Sequence, residues 1–148
     1  MEESKPEILF KAESYAIVGA CFEVYNELGC GFTEPVFQEA LEIELAARKS
    51  PFKSQLDLPL FYKETPLKHS FRADFLCHEN IIVEIKAVSI LTGEHRAQVM
   101  NYLHAGRFQL GLLVNFGMHP RLEHERLANS EKSIRGHSRD SRAPSFQP

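Results

Sequence analysis

Residues 81–87 read Ile-Ile-Val-Glu-Ile-Lys-Ala, a β-branched run with two charged side chains set into it. Branching at Cβ suits the pleated surface of a sheet, and this density of Ile and Val predicts a central strand. Alternation along a strand places Glu84 and Lys86 on the same face. A charge in so apolar a setting is costly unless it is paired or bound to a metal. The segment therefore demands both a well-covered sheet and a polar partner for that face.

The flanking periodicities supply the rest of the sheet and its cover. Ile17, Cys21, Val24 and Leu28 recur at helical spacing and predict a helix over 13–28, ended by Gly29-Cys30-Gly31. Thr33 is the expected N-cap of a second helix with Pro35 in its first turn, running to about Lys49 before Pro51. Leu56, Leu58, Leu60 and Tyr62 then alternate with other residues at the period of a strand. Lys63 to Pro66 reads as a turn, Phe71–Leu76 as a second strand, His78–Asn80 as a tight connection and Ile81–Ala87 as a third strand. Short links between these three imply an antiparallel meander. Thr92 caps a third helix over 93–105, and Leu110 to Phe116 is an apolar run typical of a strand covered on both faces. The expected class is α/β in an α+β arrangement, a four-stranded mixed sheet flanked by helices.

The chain has 148 residues, one domain's worth. Residues 1–128 are the expected domain. The segment 129–148, with five Ser, four Lys+Arg and two Asp+Glu, is too poor in apolar side chains to offset its ordering entropy and is expected to be a disordered polar tail. The net charge of -3 excludes a globally basic nucleic-acid coat, so any such contact must be local. Cys21, Cys30 and Cys77 are odd in number and widely spaced, which argues against a disulfide framework or zinc knuckle and for buried thiols in a reducing compartment. No run approaches the ~18–20 apolar residues of a membrane span. A cytoplasmic protein is the expectation.

Candidate site residues follow from polar groups where apolar ones are expected. Asp74, in Arg72-Ala-Asp-Phe75, can lie beside Glu84 if the 78–80 turn pairs the strands symmetrically. Two carboxylates and Lys86 would then share one patch, the donor set that holds Mg²⁺ or Mn²⁺ and activates water against a phosphodiester. An ordinary cross-strand ion pair would use the same residues. Gln98 and Tyr102, four apart on the third helix, can point together at the sheet. On the second helix Glu34 and Glu44 lie on the face of Phe37 and Leu41. Glu34 can also serve simply as an acid at the helix N-terminus, and Glu44 as a partner of Arg48. Arg72, His95 and Arg96 are further candidates for carboxylate or phosphate contact, and His69 reads as surface.

Taken in order, these residues resemble the PD-(D/E)XK nuclease superfamily: a helix acid, an Asp, a Glu-x-Lys on the next strand, and a following helix. Gln98-x-x-x-Tyr102 is similar to the motif after Glu-x-Lys in the branch containing bacterial recombination exonucleases. Asn26 to Phe37 resembles the signature of the GxxExxY family, as do Arg72–Phe75, Val83–Ala87 and Gln98–Leu103. Phe37 stands where that signature has Tyr, keeping a ring and losing a hydroxyl, and Ala73 stands where the superfamily often has Pro. The resemblance implies a restriction-endonuclease-like core. It assigns Asp74, Glu84 and Glu34 as metal ligands, Lys86 as the catalytic lysine, and Gln98 and Tyr102 as site residues touching the phosphate backbone. It implies a metal-dependent nuclease using Mg²⁺ or Mn²⁺ on nucleic acid, DNA before RNA, with room for a homodimer to grip a duplex. The acidic body favours an alternative, a nucleic-acid-associated accessory module with little turnover. A protein-interaction module with a purely structural Glu-Lys pair is the third reading.

Overall fold

The computed structural model describes residues 9–129, so the 130–148 part of the polar tail and the acidic N-terminus lie outside the described residues. The chain runs α1 (Lys11–Leu28), α2 (Glu34–Ala47), β1 (Phe52–Tyr62), β2 (Thr65–Cys77), β3 (Ile81–Lys86), α3 (Gly93–Gly106), β4 (Leu110–Asn115) and β5 (Glu123–Ala128). The strands form one sheet in the order β1-β2-β3-β4-β5. β1, β2 and β3 are the antiparallel meander, α3 crosses over to set β4 parallel to β3, and β5 returns antiparallel to β4.

Among the described residues the sheet has five strands, not the expected four. β5 reads Glu-His-Glu-Arg-Leu-Ala, without the branched and aromatic residues that announce a strand. Its pairing with β4 along the whole length supplies the order that its side chains do not. β1 and β2 also reach further than their apolar residues, because the polar stretch 65–70 continues the hairpin as an exposed ribbon.

Each face of the sheet buries its own core. Ile17, Cys21 and Val24 of α1 and Phe37, Leu41 and Leu45 of α2 meet Val83, Ile85, Leu112 and Val114 on one side. Val99 and Leu103 of α3 meet Leu58, Phe71, Ala73, Ile82 and Leu113 on the other. The continuous apolar sequence of β3 and β4 is thus explained by helices on both sides. Phe37 stacks on Phe116 at 4.7 Å between ring centroids, a packing role its ring alone fills. Cys21 and Cys77 are buried in the first core as free thiols. Burial pushes the Cys77 thiol up to about 12, which leaves it protonated and inert.

Helix ends follow local chemistry. Gly29, at φ 80°, closes α1 by donating its N–H to the Tyr25 carbonyl. Thr33 starts α2 from extended backbone without a side-chain capping bond. Thr92 accepts from the His95 N–H while His95 Nδ1 accepts from the Thr92 N–H at 3.0 Å, a capping box with histidine in the usual place of Glu or Gln.

α3 lies close on β4 because position 111 has no side chain. A Cβ there would sit 2.9 Å from Val99 Cγ1 and 3.3 Å from Leu103 Cδ2. Gly111→Ala is expected to lower stability by about 1–3 kcal/mol through overpacking, read as a fall in the urea midpoint at unchanged m value.

Candidate active site

The polar patch is built where the β2–β3 ladder breaks. Regular pairing runs from Cys77–Ile81 to Phe75–Val83 and stops there. At the next step the two acidic side chains take over from backbone carbonyls. The Asp74 N–H donates to Glu84 Oε2 at 3.1 Å, and the Ile85 N–H donates to Asp74 Oδ2 at 2.9 Å. These reciprocal bonds hold both carboxylates in the opening between the strands, satisfying amides that the ladder has left.

The opening comes from a reversal of faces in the neighbouring hairpin. Phe52 on β1 and Phe75 and Cys77 on β2 belong to the α1/α2 core, whereas Leu56, Leu58, Phe71 and Ala73 belong to the α3 core. Residues of one parity therefore switch sides between 54 and 56 and again between 73 and 75. The missing pair in the register is Gln55 with Asp74, between Ser54–Phe75 and Leu56–Ala73, and Gln55 has φ 50°. An αL residue in a strand locally redirects the chain. Gln38 of α2 donates to the Asp74 carbonyl at 3.2 Å, and Gln55 hydrogen-bonds the Asp74 side chain.

Glu84 is only 6% exposed. Burial, and then the Asp74 charge, push its carboxyl up to about 8, against opposing bonds from the Asp74 N–H and the attraction of Lys86. The Asp74 carboxyl is also raised by burial, moderated by the Ile85 N–H, by Lys86 and by Gln55. Two carboxylates sharing a desolvated site with one lysine nearby leave a deficit of positive charge. On the α3 side Tyr102 stacks on Phe71 at 4.2 Å and hydrogen-bonds Gln98. Its hydroxyl is raised by burial and then by the charges of Glu84 and Asp74, so it borders the same patch.

The structure thus gathers Asp74, Glu84, Lys86, Gln98 and Tyr102 around one break in the sheet. Glu34 comes to Asp74 from α2. It is exposed and lines a cleft with Gln38, Glu39, Glu42, Gln55 and Asp74. Glu44 is bound to Arg48 at 2.6 Å, leaving Glu34 as the acid of that pair that borders Asp74. Among the described residues, no three His, Cys, Asp or Glu side chains are gathered as a metal cage. Arg72 pairs with Asp57 across the hairpin instead of meeting the site carboxylates. His95 is engaged in the α3 cap and Arg96 is tied to Glu125 of β5 at 2.7 Å, so neither is held out for phosphate.

Gln38 and Gln55 escaped the sequence reading. Gln38 carried a signal, lying one turn beyond Glu34 on α2. Gln55 carried none, because its role comes from a backbone reversal.

The family model for the PD-(D/E)XK nuclease superfamily matches residues 11–127. The chain belongs to the PD-(D/E)XK nuclease superfamily. A solved structure described as "Crystal structure of SSO0001" is similar at a TM-score of 0.51 and 16% identity, covering 94% of this chain and 70% of that one, which is a likeness of fold. No curated protein sequence matches. PD-(D/E)XK proteins generally hydrolyse phosphodiester bonds, typically with divalent metals, and the superfamily implies nucleic-acid binding. In this PD-(D/E)XK core the donor set fits such an ion: two hard carboxylates, one buried and short of positive charge, beside a cleft open to water. Among the described residues no helix is long and apolar enough to cross a membrane.

Proposed function

We propose that the protein is a metal-dependent nuclease acting on DNA, of the GxxExxY branch of the superfamily. The observation that carries the reading is the reciprocal pair of bonds at the ladder break, Asp74 N–H to Glu84 and Ile85 N–H to Asp74. Ordinary salt-bridge partners would not replace the ladder of a central strand with two like charges. Asp74 and Glu84 would hold Mg²⁺ or Mn²⁺, with Glu34 as the further acid from the cleft that Asp74 also lines. Bound there, the ion lowers the pKa of a water and polarises the scissile phosphate. Lys86 supplies a point charge for the phosphoryl oxygens as negative charge builds on them. Tyr102, braced by Phe71 and Gln98, donates its hydroxyl to the phosphate backbone.

A second reading has its own support. Glu34, Glu39 and Glu42 crowd the cleft beside Asp74, a field that repels a polyanion and favours a nucleic-acid-associated module with little turnover. The test is cleavage of single-stranded, duplex and branched DNA, and of RNA, in Mg²⁺ or Mn²⁺. Lys86→Ala is expected to slow cleavage by roughly 100–1,000-fold with little loss of metal affinity. Equal cutting by parent and variant would remove the nuclease assignment. Salt-sensitive binding without cleavage by the parent would establish the accessory module.

A further inference from the structure

The strand that the sequence did not announce runs beside α3, and its alternate residues meet α3 or the segments that enter and leave it. Glu123 Oε1 accepts from the Leu91 N–H at 3.0 Å, just ahead of the α3 cap. Glu125 binds Arg96 in the first turn at 2.7–2.8 Å. Leu127 packs into the core beneath α3. Asn129 Nδ2 then donates to the Leu103 and Phe108 carbonyls at the far end of the helix. Four positions of one parity therefore brace α3 from entry to exit.

The brace continues inward to the strand of Glu84 and Lys86. Asn115, fully buried and paired in register with Lys86, donates from Nδ2 to Glu123 at 2.9 Å. Its Oδ1 accepts from the Val88 N–H at 2.9 Å and the Gly117 N–H at 3.0 Å. The Phe116 N–H donates to the Lys86 carbonyl at 2.8 Å. Gly117 lies so near this turn that a Cβ would sit 2.4 Å from the Val88 carbonyl oxygen. The segment from Lys86 to Thr92 carries β3 into α3, and its backbone is held at both ends by Asn115 and Glu123.

We propose that Asn115 and Glu123 are positioning residues, which fix Lys86 of β3 and Gln98 and Tyr102 of α3 relative to the two carboxylates. They touch neither the carboxylates nor the space between them, so they act by setting the reach of groups that do. Glu125 and Asn129 hold α3 itself, while Asn115 and Glu123 hold the segment that feeds it. Set on rigid strands, the latter two fix where that segment leaves β3 and where it enters α3. This role rests on the nuclease reading for its catalytic consequence, but not for its structural one.

Glu123→Ala removes the acceptor shared by Leu91 and Asn115, and Glu123→Gln keeps it. At saturating Mg²⁺ and DNA, Glu123→Ala is expected to lower kcat by roughly 10–100-fold, the cost of a misplaced group, with KM and Mg²⁺ affinity within about twofold of the parent. Glu123→Gln should restore kcat. Val18→Ala, which loosens the opposite core, controls for stability alone and should leave kcat unchanged. A Glu123→Ala enzyme with parental kcat overturns the proposal, as does an equal loss in Val18→Ala. If the parent cuts nothing, amide NMR shifts still decide: Glu123→Ala is expected to move the Lys86 and Gln98–Tyr102 signals. Changes confined to Val88–Leu91 and β5 would overturn the positioning role independently of any catalysis.

Discussion

Glu84→Gln is expected to give a protein that is more stable than the parent in metal-free buffer above pH 8 and slower to cut nucleic acid by on the order of a thousandfold. The gain in stability follows from the site's own electrostatics. Burial first, and the Asp74 charge second, raise the Glu84 carboxyl to about 8, while the unfolded chain returns it to the ordinary value near 4.5. Between these values the folded protein holds a proton that the unfolded chain has lost, so folding takes up a proton and stability falls as pH rises. The contribution is fully present below about 4.5 and gone above about 8, with a slope approaching 1.4 kcal/mol per pH unit between. Asp74, also raised by burial, adds to the fall in the same direction. Glutamine keeps an oxygen for the Asp74 N–H and carries no charge to desolvate, so the variant loses most of this slope. Thermal unfolding of both proteins from pH 5 to 9 in chelator reads the difference directly. A parent whose stability is flat or rises over that range would remove the premise that Glu84 is held above its usual range.

Such a trade of stability against activity explains why the site could be seen in sequence at all. Glu84 and Lys86 stand out because they interrupt a branched apolar run, and a residue that works against the local pattern is legible without a structure. The meander, the three helices and the double cover of β3 and β4 were legible for the complementary reason, since their apolar periods agree with their packing. Asn115 was within reach by the first argument, as the one amide in the run Leu110–Phe116. β5 was not, because Glu123 and Glu125 face α3 as polar partners, and polar residues on both sides of a strand erase the alternation. The same contacts account for His95 and Arg96. Beside a helix start they resemble phosphate ligands until the cap and Glu125 are visible. The reversal at Gln55 and Asp74 was out of reach for another reason: it is a change in φ and ψ, and no side-chain pattern records it.

That reversal also sets how metal, proton and fold are linked. With Asp74 and Glu84 in one opening, a cation that binds there must displace the proton that Glu84 carries below about 8. Apparent affinity for Mg²⁺ or Mn²⁺ is therefore expected to climb with pH by up to about tenfold per unit, levelling near pH 8, so that roughly fiftyfold separates pH 6 from pH 8. Isothermal titration in two buffers of different ionisation enthalpy should find close to one proton released per ion at pH 7, falling toward zero above pH 9. The ion also offsets the pH effect on stability. Metal-free protein weakens as pH rises, whereas a metal concentration of about 100 times the dissociation constant adds about 2.7 kcal/mol, and at fixed concentration that gain grows with pH as affinity does, leaving the loaded protein nearly level between about 4.5 and 8. Chelation should thus lower the unfolding temperature more at pH 8 than at pH 6. Glu84→Gln should release no proton and Asp74→Asn should bind little metal, while Glu34→Gln, altering an acid across the cleft, should weaken binding by roughly tenfold. Proton release that is unchanged in Glu84→Gln would place the ion elsewhere.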